Sequence, residues 1–110
     1  MIYLVTKQQS LWASDRYKVI SAEEALELLA PLNVVELDTE TMGLDPYTKE
    51  LLTVQLGCAD FQVVIDCTSV DIHLFKGYME NPQRIFLGWN IKFDLKFLYH
   101  QRIIPMRVYD

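Results

Sequence analysis

The run Val34 to Asp38 constrains the fold more than any other part of this sequence. Its residues are mostly apolar and partly β-branched, which is typical of a short strand buried on both faces. We therefore expect this run to be the central strand of a sheet. It ends in an acidic residue, and a second acid, Glu40, follows two positions later. The central strand thus carries charged side chains at its end, where charge needs an explanation.

The patterns around the central strand predict one α/β domain with several adjacent strands. Ser21 and Glu24 form a capping box, in which each residue's side chain caps the other's backbone at the start of a helix. Before the central strand we predict strands over 2–5 and 17–20, separated by a polar stretch over 8–15, and a helix from Ser21 to about Pro31. After it we predict a loop over 41–50 and a hairpin of 51–59 and 63–67. The rest of the chain is predicted to form a helix over 71–80, a strand over 84–88, a helix over 90–101 and a strand beginning at 108.

Composition limits where the protein acts and how it could bind nucleic acid. No apolar run approaches the roughly 20 residues of a membrane span, and no signal peptide begins the chain, so we expect a cytoplasmic protein without membrane contact. Cys58 and Cys67 lack metal-ligand spacing and are predicted to be reduced core thiols. The net charge of −5 argues against nucleic-acid binding through a basic surface alone. If nucleic acid binds, metal ions must offset the local negative charge.

Asp38 and Glu40 are candidate metal ligands. Residues two apart on a strand share a face, so these carboxylates can converge, and Glu36 joins them if the strand is regular. Like charges so close repel each other unless a proton or a cation lies between them, and carboxylate oxygens suit Mg²⁺ or Mn²⁺. The alternative is that both acids point into solvent where the strand meets its loop, which is commoner for an isolated Asp-x-Glu sequence.

Asp94 adds a third acid on the predicted helix over 90–101. It projects among apolar side chains, whereas Lys92, Lys96 and His100 fall on the opposite side. An unpaired buried carboxylate is costly or stays protonated, so Asp94 needs a partner. We favour a metal shared with Asp38. A capped turn or a lysine partner is the alternative, although the lysines of this helix project away from Asp94.

The two acidic segments together resemble the first two motifs of the DEDD 3′-to-5′ exonucleases. The first spans 37–41 (LDTET) and continues to Leu44, and the second is 88–94 (GWNIKFD). Asn-x-Lys-aromatic-Asp looks most like the proofreading domain of polymerase I family DNA polymerases. The resemblance covers 17–110 and implies a ribonuclease H-like α/β fold, a mixed sheet with antiparallel early strands and helices on both faces. Residues 1–110 would be the N-terminal part of that domain, truncated at its C-terminus.

The resemblance also implies which residues hold metal. Asp38 would bridge two divalent ions, Mg²⁺ or Mn²⁺, Glu40 would hold the ion that activates water, and Asp94 would hold the other. The family's third motif, Tyr-x-x-x-Asp or His-x-x-x-Asp, does not follow Asp94. Because that motif supplies a fourth carboxylate and the Tyr or His that orients water, we expect low activity from the chain as given.

Substrate contacts are implied in the same way. Asn90 would position Asp94, while Thr41 and Leu44 would touch the 3′-terminal nucleotide, Leu44 as an apolar wedge against its base. From the residues alone, Leu44 could equally fold back on the core. Trp89 matches no metal-ligand position; it could stack on a base, but an aromatic residue that ends a core strand more often packs inside.

The function implied is a metal-dependent 3′-to-5′ exonuclease acting on the single-stranded 3′ end of DNA. It would be the proofreading part of a DNA polymerase, with a polymerase domain downstream. One alternative is an RNA-directed exonuclease of the ribonuclease D type. Another is a non-catalytic nucleic-acid-binding module, which the retention of three acids argues against.

Overall fold

The computed structural model describes residues 1–8 and 16–110, so nearly all of the polar stretch predicted over 8–15 lies outside the described residues. The strands are β1 (Ile2–Val5), β2 (Tyr17–Val19), β3 (Val34–Thr41), β4 (Leu51–Gly57), β5 (Gln62–Asp66), β6 (Ile85–Leu87) and β7 (Val108–Tyr109). The helices are α1 (Ala22–Leu29), α2 (Lys76–Met79), which continues a 3₁₀ turn over Ile72–Phe75, and α3 (Ile91–His100).

The described strands form one mixed sheet in the order β2-β1-β5-β4-β3-β6-β7. The antiparallel pairs are β3 with β4 and β4 with β5, which confirms the predicted hairpin. All other neighbours are parallel, including β1 with β2, so antiparallel pairing starts later in the chain than expected. The predicted mixed sheet flanked by helices is confirmed, with β3 near its middle.

Local signals place the helices well. The backbone N–H of Glu24 donates to Ser21 Oγ at 3.0 Å, and the N–H of Ser21 donates to Glu24 Oε1 at 3.1 Å, so the predicted capping box is present. The helix predicted over 71–80 is instead a 3₁₀ turn followed by one α-helical turn. No helix within 1–8 and 16–110 is long and apolar enough to cross a membrane.

The largest cluster of buried side chains lies on one face of the sheet, while Leu4 and Val64 are buried on the other. Buried side chains of α1, the 3₁₀ turn, α2 and α3 join those of one sheet face in a single cluster. The sheet residues of that cluster are Val5, Val35, Leu37, Leu51, Val54, Leu56, Val63, Ile65 and Phe86. Helices therefore cover one face in the described part of the chain, whereas we expected helices on both.

The prediction that β3 is buried on both faces was wrong. Burial alternates along the strand: Val35, Leu37 and Thr39 are buried, while Glu36, Asp38 and Glu40 are exposed. The apolar residues meet the helices, and the acids keep their hydration on the open face. A five-residue apolar pattern does not show which faces of the sheet other elements cover.

The cysteines are free but lie less deep than predicted. Cys58 and Cys67 are both partly exposed, and Cys67 packs against the core cluster. Burial raises the pKa of the Cys67 thiol to about 12, and the nearby charge of Asp66 acts in the same direction. Cys67 is therefore an inert thiol rather than a nucleophile.

Candidate active site

The open face of β3 presents two neighbouring carboxylates to solvent. Asp38 and Glu40 are both exposed, and neither forms an ion pair with any residue of the described ranges. The carboxylate of Asp38 accepts a hydrogen bond of 2.9 Å from the backbone N–H of Thr39. The pairing of β3 with β4 shifts register between Glu40 and Thr41, so the strand becomes irregular directly after the second acid.

Asp94 lies where its helix meets β3. It belongs to the first turn of α3 and is only 3% exposed. The hydroxyl of Thr39 donates to Asp94 Oδ1, so the partner of Asp94 is neither a lysine nor a turn. Burial raises the pKa of Asp94, the hydrogen bond from Thr39 opposes that rise, and the charge of Asp38 adds to it. An acid destabilised by burial and by a neighbouring carboxylate is one that a bound cation would stabilise.

The three acids are close but do not point to one centre. Asp38 and Glu40 project from the open face of β3, while Asp94 meets Thr39 on the buried face. Within 1–8 and 16–110 no group of three or more His, Cys, Asp or Glu side chains is placed to hold a metal ion. The donor chemistry nevertheless fits a hard divalent cation, because the acids are carboxylates without a competing positive partner among the described residues.

The residues expected to touch substrate lie around these acids. The hydroxyl of Thr41 donates to the carbonyl of Gly43 at 2.7 Å and so orders the start of the loop after β3. Leu44 in that loop is 82% exposed, which rules out the alternative that it folds back on the core.

Asn90 caps α3 with a left-handed backbone (φ 52°), which asparagine tolerates better than most residues. Its backbone N–H donates to Asp110 Oδ1 at 2.9 Å, whereas its side chain makes no capping bond. The structure thus places Asn90 one turn before Asp94, at the point where the chain enters the acid-bearing helix.

Trp89 lies at the surface, where the sequence led us to expect a packed side chain. It is 93% exposed, so the expectation that it packs inside was wrong. A Cβ on the preceding Gly88 would lie 2.8 Å from both the Leu37 carbonyl oxygen and Ile91 Cδ1. The backbone therefore turns tightly against β3 and sends the next side chain outward. A glycine between a strand and a helix start was the signal that could have indicated this.

Trp89 borders an open cavity of about 630 Å³ beside the acids. The cavity is lined by Glu36, Leu37, Asp38, Gln55, Gln62, Leu87, Gly88, Trp89 and Asp110. It combines carboxylates, amides and apolar surface on the face of the sheet that the described helices leave open. Asp38 is thus reachable from a broad groove rather than from a closed pocket.

Comparison with known proteins identifies relatives of this arrangement. Residues 17–110 match a family described as 3′-5′ exonuclease. The chain is 28% identical to a DNA polymerase I from Borreliella burgdorferi and 31% identical to one from Aquifex aeolicus, over 82% and 86% of its length. It spans only 11% and 16% of those proteins.

Solved structures share its fold. Escherichia coli RNase D, an exoribonuclease involved in structured RNA processing, superposes with a TM-score of 0.71 at 19% identity over 97% of this chain and 26% of that chain, a likeness of fold alone. Brucella melitensis NrnC with bound Mg²⁺ gives a TM-score of 0.59 at 25% identity, over 71% of this chain and 41% of that chain.

Proposed function

This chain belongs to the 3′-5′ exonuclease family that matches residues 17–110, and from that premise we propose that it hydrolyses phosphodiester bonds at the 3′ end of single-stranded DNA. The observation that carries the proposal is the pair Asp38 and Glu40 on an open strand face, with Asp94 buried on the other side of that strand. A nucleic acid is itself an anion, so an acidic site needs cations to receive it.

The donor set supports two Mg²⁺ or Mn²⁺ ions as cofactors. Asp38 and Glu40 would hold them from the strand, and Asp94 would join after its carboxylate leaves the Thr39 hydroxyl. When bound, such ions supply an activated water and neutralise charge at the scissile phosphate. The role of the chain would be to present these three carboxylates to the ions.

Other side chains would place the substrate. The exposed apolar side chain of Leu44 is suited to contact the terminal base, and the Thr41 hydroxyl holds its loop in shape. Asn90 would orient the start of α3 and with it Asp94. Each of these residues positions a partner and moves no proton.

We propose that residues 1–110 form the N-terminal part of an exonuclease domain that proofreads within a longer DNA polymerase. The relatives support this, since both are DNA polymerases I much longer than this chain. No Tyr-x-x-x-Asp or His-x-x-x-Asp occurs in 95–110, so no residue there would supply a fourth carboxylate with its water-orienting partner. The 110-residue chain by itself should therefore hydrolyse its substrate slowly.

The test is release of mononucleotides from a 3′-labelled single strand at high protein concentration, with Mg²⁺ or Mn²⁺ and with chelator as the blank. DNA and RNA of the same base sequence decide between the proofreading assignment and an RNA-directed exonuclease. Asp38→Ala should abolish release, whereas Asp60→Ala, which removes an exposed acid in the β4–β5 turn, should not. Metal binding that depends on Asp38 without degradation of either strand would favour a non-catalytic binding module.

A further inference from the structure

A second cavity of about 680 Å³ lies between the loop that follows β3 and the exposed side of α3. Its lining residues are Asp45, Pro46, Tyr47, Lys96, Tyr99, His100 and Arg102. The rings of Tyr47 and His100 meet edge to face with centroids 5.1 Å apart, which joins the loop to the helix. The acidic site and the contacts described around it use none of these side chains.

Both walls of this cavity continue from the elements that hold the acids. β3 leaves Glu40 and runs into the loop, and α3 leaves Asp94 and runs to His100. The six residues from Asp94 to His100 advance about 9 Å along the helix. At about 3.4 Å per stacked nucleotide, that is the length of about three nucleotides. One strand could therefore reach both places.

The charges in the cavity suit an anionic ligand. Lys96 and Arg102 are exposed, and neither forms an ion pair with a residue that the structure describes. The one acid of the lining, Asp45, is engaged in its own turn: its carboxylate accepts from the Tyr47 N–H at 2.9 Å. Lys96 and Arg102 thus give the lining two cationic side chains against one acid.

The aromatic side chains of the cavity indicate which class of anionic ligand it would bind. Tyr47 is 82% exposed and Tyr99 is half exposed, so two ring faces stand beside the cations. An acidic peptide would use the cations but not the rings, whereas the bases of a single strand stack on such rings while its phosphates meet Lys and Arg. The combination therefore favours a single-stranded nucleic acid.

We propose that this cavity is a subsite for single-stranded nucleic acid, about three nucleotides' length from Asp94 along α3, with Lys96 and Arg102 on phosphates and Tyr47 stacked on a base. The inference rests on the proposed function, because the strand held here is the one whose end lies at Asp38. The subsite would add binding contacts to the strand that do not require a metal ion.

The experiment measures binding in chelator, so that hydrolysis and metal play no part. A fluorescein-labelled strand of eight deoxythymidines is titrated with the 110-residue chain, and anisotropy is followed at several salt concentrations. Lys96→Gln/Arg102→Gln should weaken binding at least tenfold and lower the salt slope by about 1.4, at about 0.7 for each lost phosphate contact on a single strand. The control Lys7→Gln/Lys18→Gln removes as much charge from exposed positions next to β1 and on β2, and should bind like wild type.

Tyr47 tests the stacking part. Tyr47→Ala should weaken binding at least about fivefold, the low end of what one stacked base contributes, and Tyr47→Phe should restore it. Asp60→Ala, in the exposed β4–β5 turn, should bind like wild type. Because binding is measured in chelator, a chain that does not cleave still gives a readable result. The proposal is overturned if wild type does not bind, if the control pair weakens binding as much as the cavity pair, or if polyglutamate competes as well as unlabelled strand.

Discussion

Two carboxylates in this molecule are almost equally buried, but their pKa values are shifted in opposite directions. Asp66, at the end of β5, is 1% exposed and Asp94 is 3% exposed. Burial raises the pKa of Asp66, but hydrogen bonds from Thr68, Thr6 and Ser69 together bring it below its ordinary value. Three hydroxyls, at 2.6 to 2.8 Å, and the Thr68 N–H, at 3.1 Å, donate to it. Asp66 is thus a satisfied anion that ties β5 to its neighbours.

Burial raises the pKa of Asp94 as well, the hydrogen bond from the Thr39 hydroxyl does not offset that rise, and the charge of Asp38 adds to it. The contrast teaches that depth of burial does not identify a functional acid. What matters is how many donors the fold provides to the carboxylate. Four donated hydrogen bonds already stabilise the charge of Asp66, whereas the charge of Asp94 is disfavoured and would be stabilised by a cation.

The strongest test of the contrast is the stability of Asp66→Asn. The amide NH₂ group would face hydroxyl donors, and hydrogen bonds to a charged acceptor contribute about 1.5 to 3 kcal/mol each, so we expect a loss of about 3 kcal/mol. Urea denaturation followed by circular dichroism measures it. Asp60→Asn, in an exposed turn, is the matched control and should change the midpoint little. If Asp66→Asn left the free energy of unfolding unchanged, Asp66 would not be a structural anion.

Asp94→Asn should separate stability from metal binding. The Asn oxygen can still accept from the Thr39 hydroxyl and a destabilised charge is removed, so the free energy of unfolding should stay within about 1 kcal/mol of wild type. Affinity for Mn²⁺ should nevertheless fall at least about tenfold. Calorimetric titration with Mn²⁺ measures this, and Asp60→Asn serves again as the control. Unchanged affinity would remove Asp94 from the proposed metal ligands.

The two acids should also give opposite pH dependence. Because the pKa of Asp66 is lowered in the folded state, its stabilisation is present above the unfolded value of about 3.9 and is lost as pH falls through the folded pKa. Because the pKa of Asp94 is raised, the folded state holds that proton more tightly, and stability falls as pH rises through the folded pKa. Denaturation from pH 3 to 7 on each Asn variant, subtracted from wild type, should give slopes of opposite sign. Slopes of one sign would show that the two environments do not differ as described.

The smallest expected effect concerns Thr53, which lies on β4 between the strand of the acidic site and the strand that ends in Asp66. Its neighbours across the sheet are Glu40 on β3 and Asp66 on β5. Its hydroxyl oxygen is buried without a hydrogen-bond partner among the described residues. Thr53→Val should therefore raise the free energy of unfolding by about 1 kcal/mol, measured in urea. A loss of stability instead would show that the hydroxyl has a partner at this position.

Local signals explain which parts of the fold could be predicted. The capping box at Ser21 and the burial of Asp94 depend on neighbours three or four residues away, and both expectations were confirmed. The burial of β3 depends on which helices cover the sheet, which its own residues do not encode. The hydroxyl cluster of Asp66 shows both cases: Thr68 and Ser69 are visible as near neighbours in sequence, but Thr6 lies 60 residues away.

For the three acids, the sequence predicts which side chains share a face of their own element, but not how the elements approach one another. Asp38 and Glu40 share a face because strand residues alternate, which the sequence predicts directly. That Asp94 approaches from the other side of β3, through Thr39, depends on how α3 packs. Their joint binding of metal stays a prediction. The exposure of Trp89 was missed because an apolar side chain after an apolar strand suggests burial.

Gly88 has a mechanical consequence. With the Leu37 carbonyl and Ile91 both 2.8 Å from where a Cβ would be, the turn into α3 and the middle of β3 touch without slack. Any side chain at position 88 would have to push the start of α3 away from β3. The spacing between the strand that carries Asp38 and the helix that carries Asp94 therefore depends on a side chain that is absent.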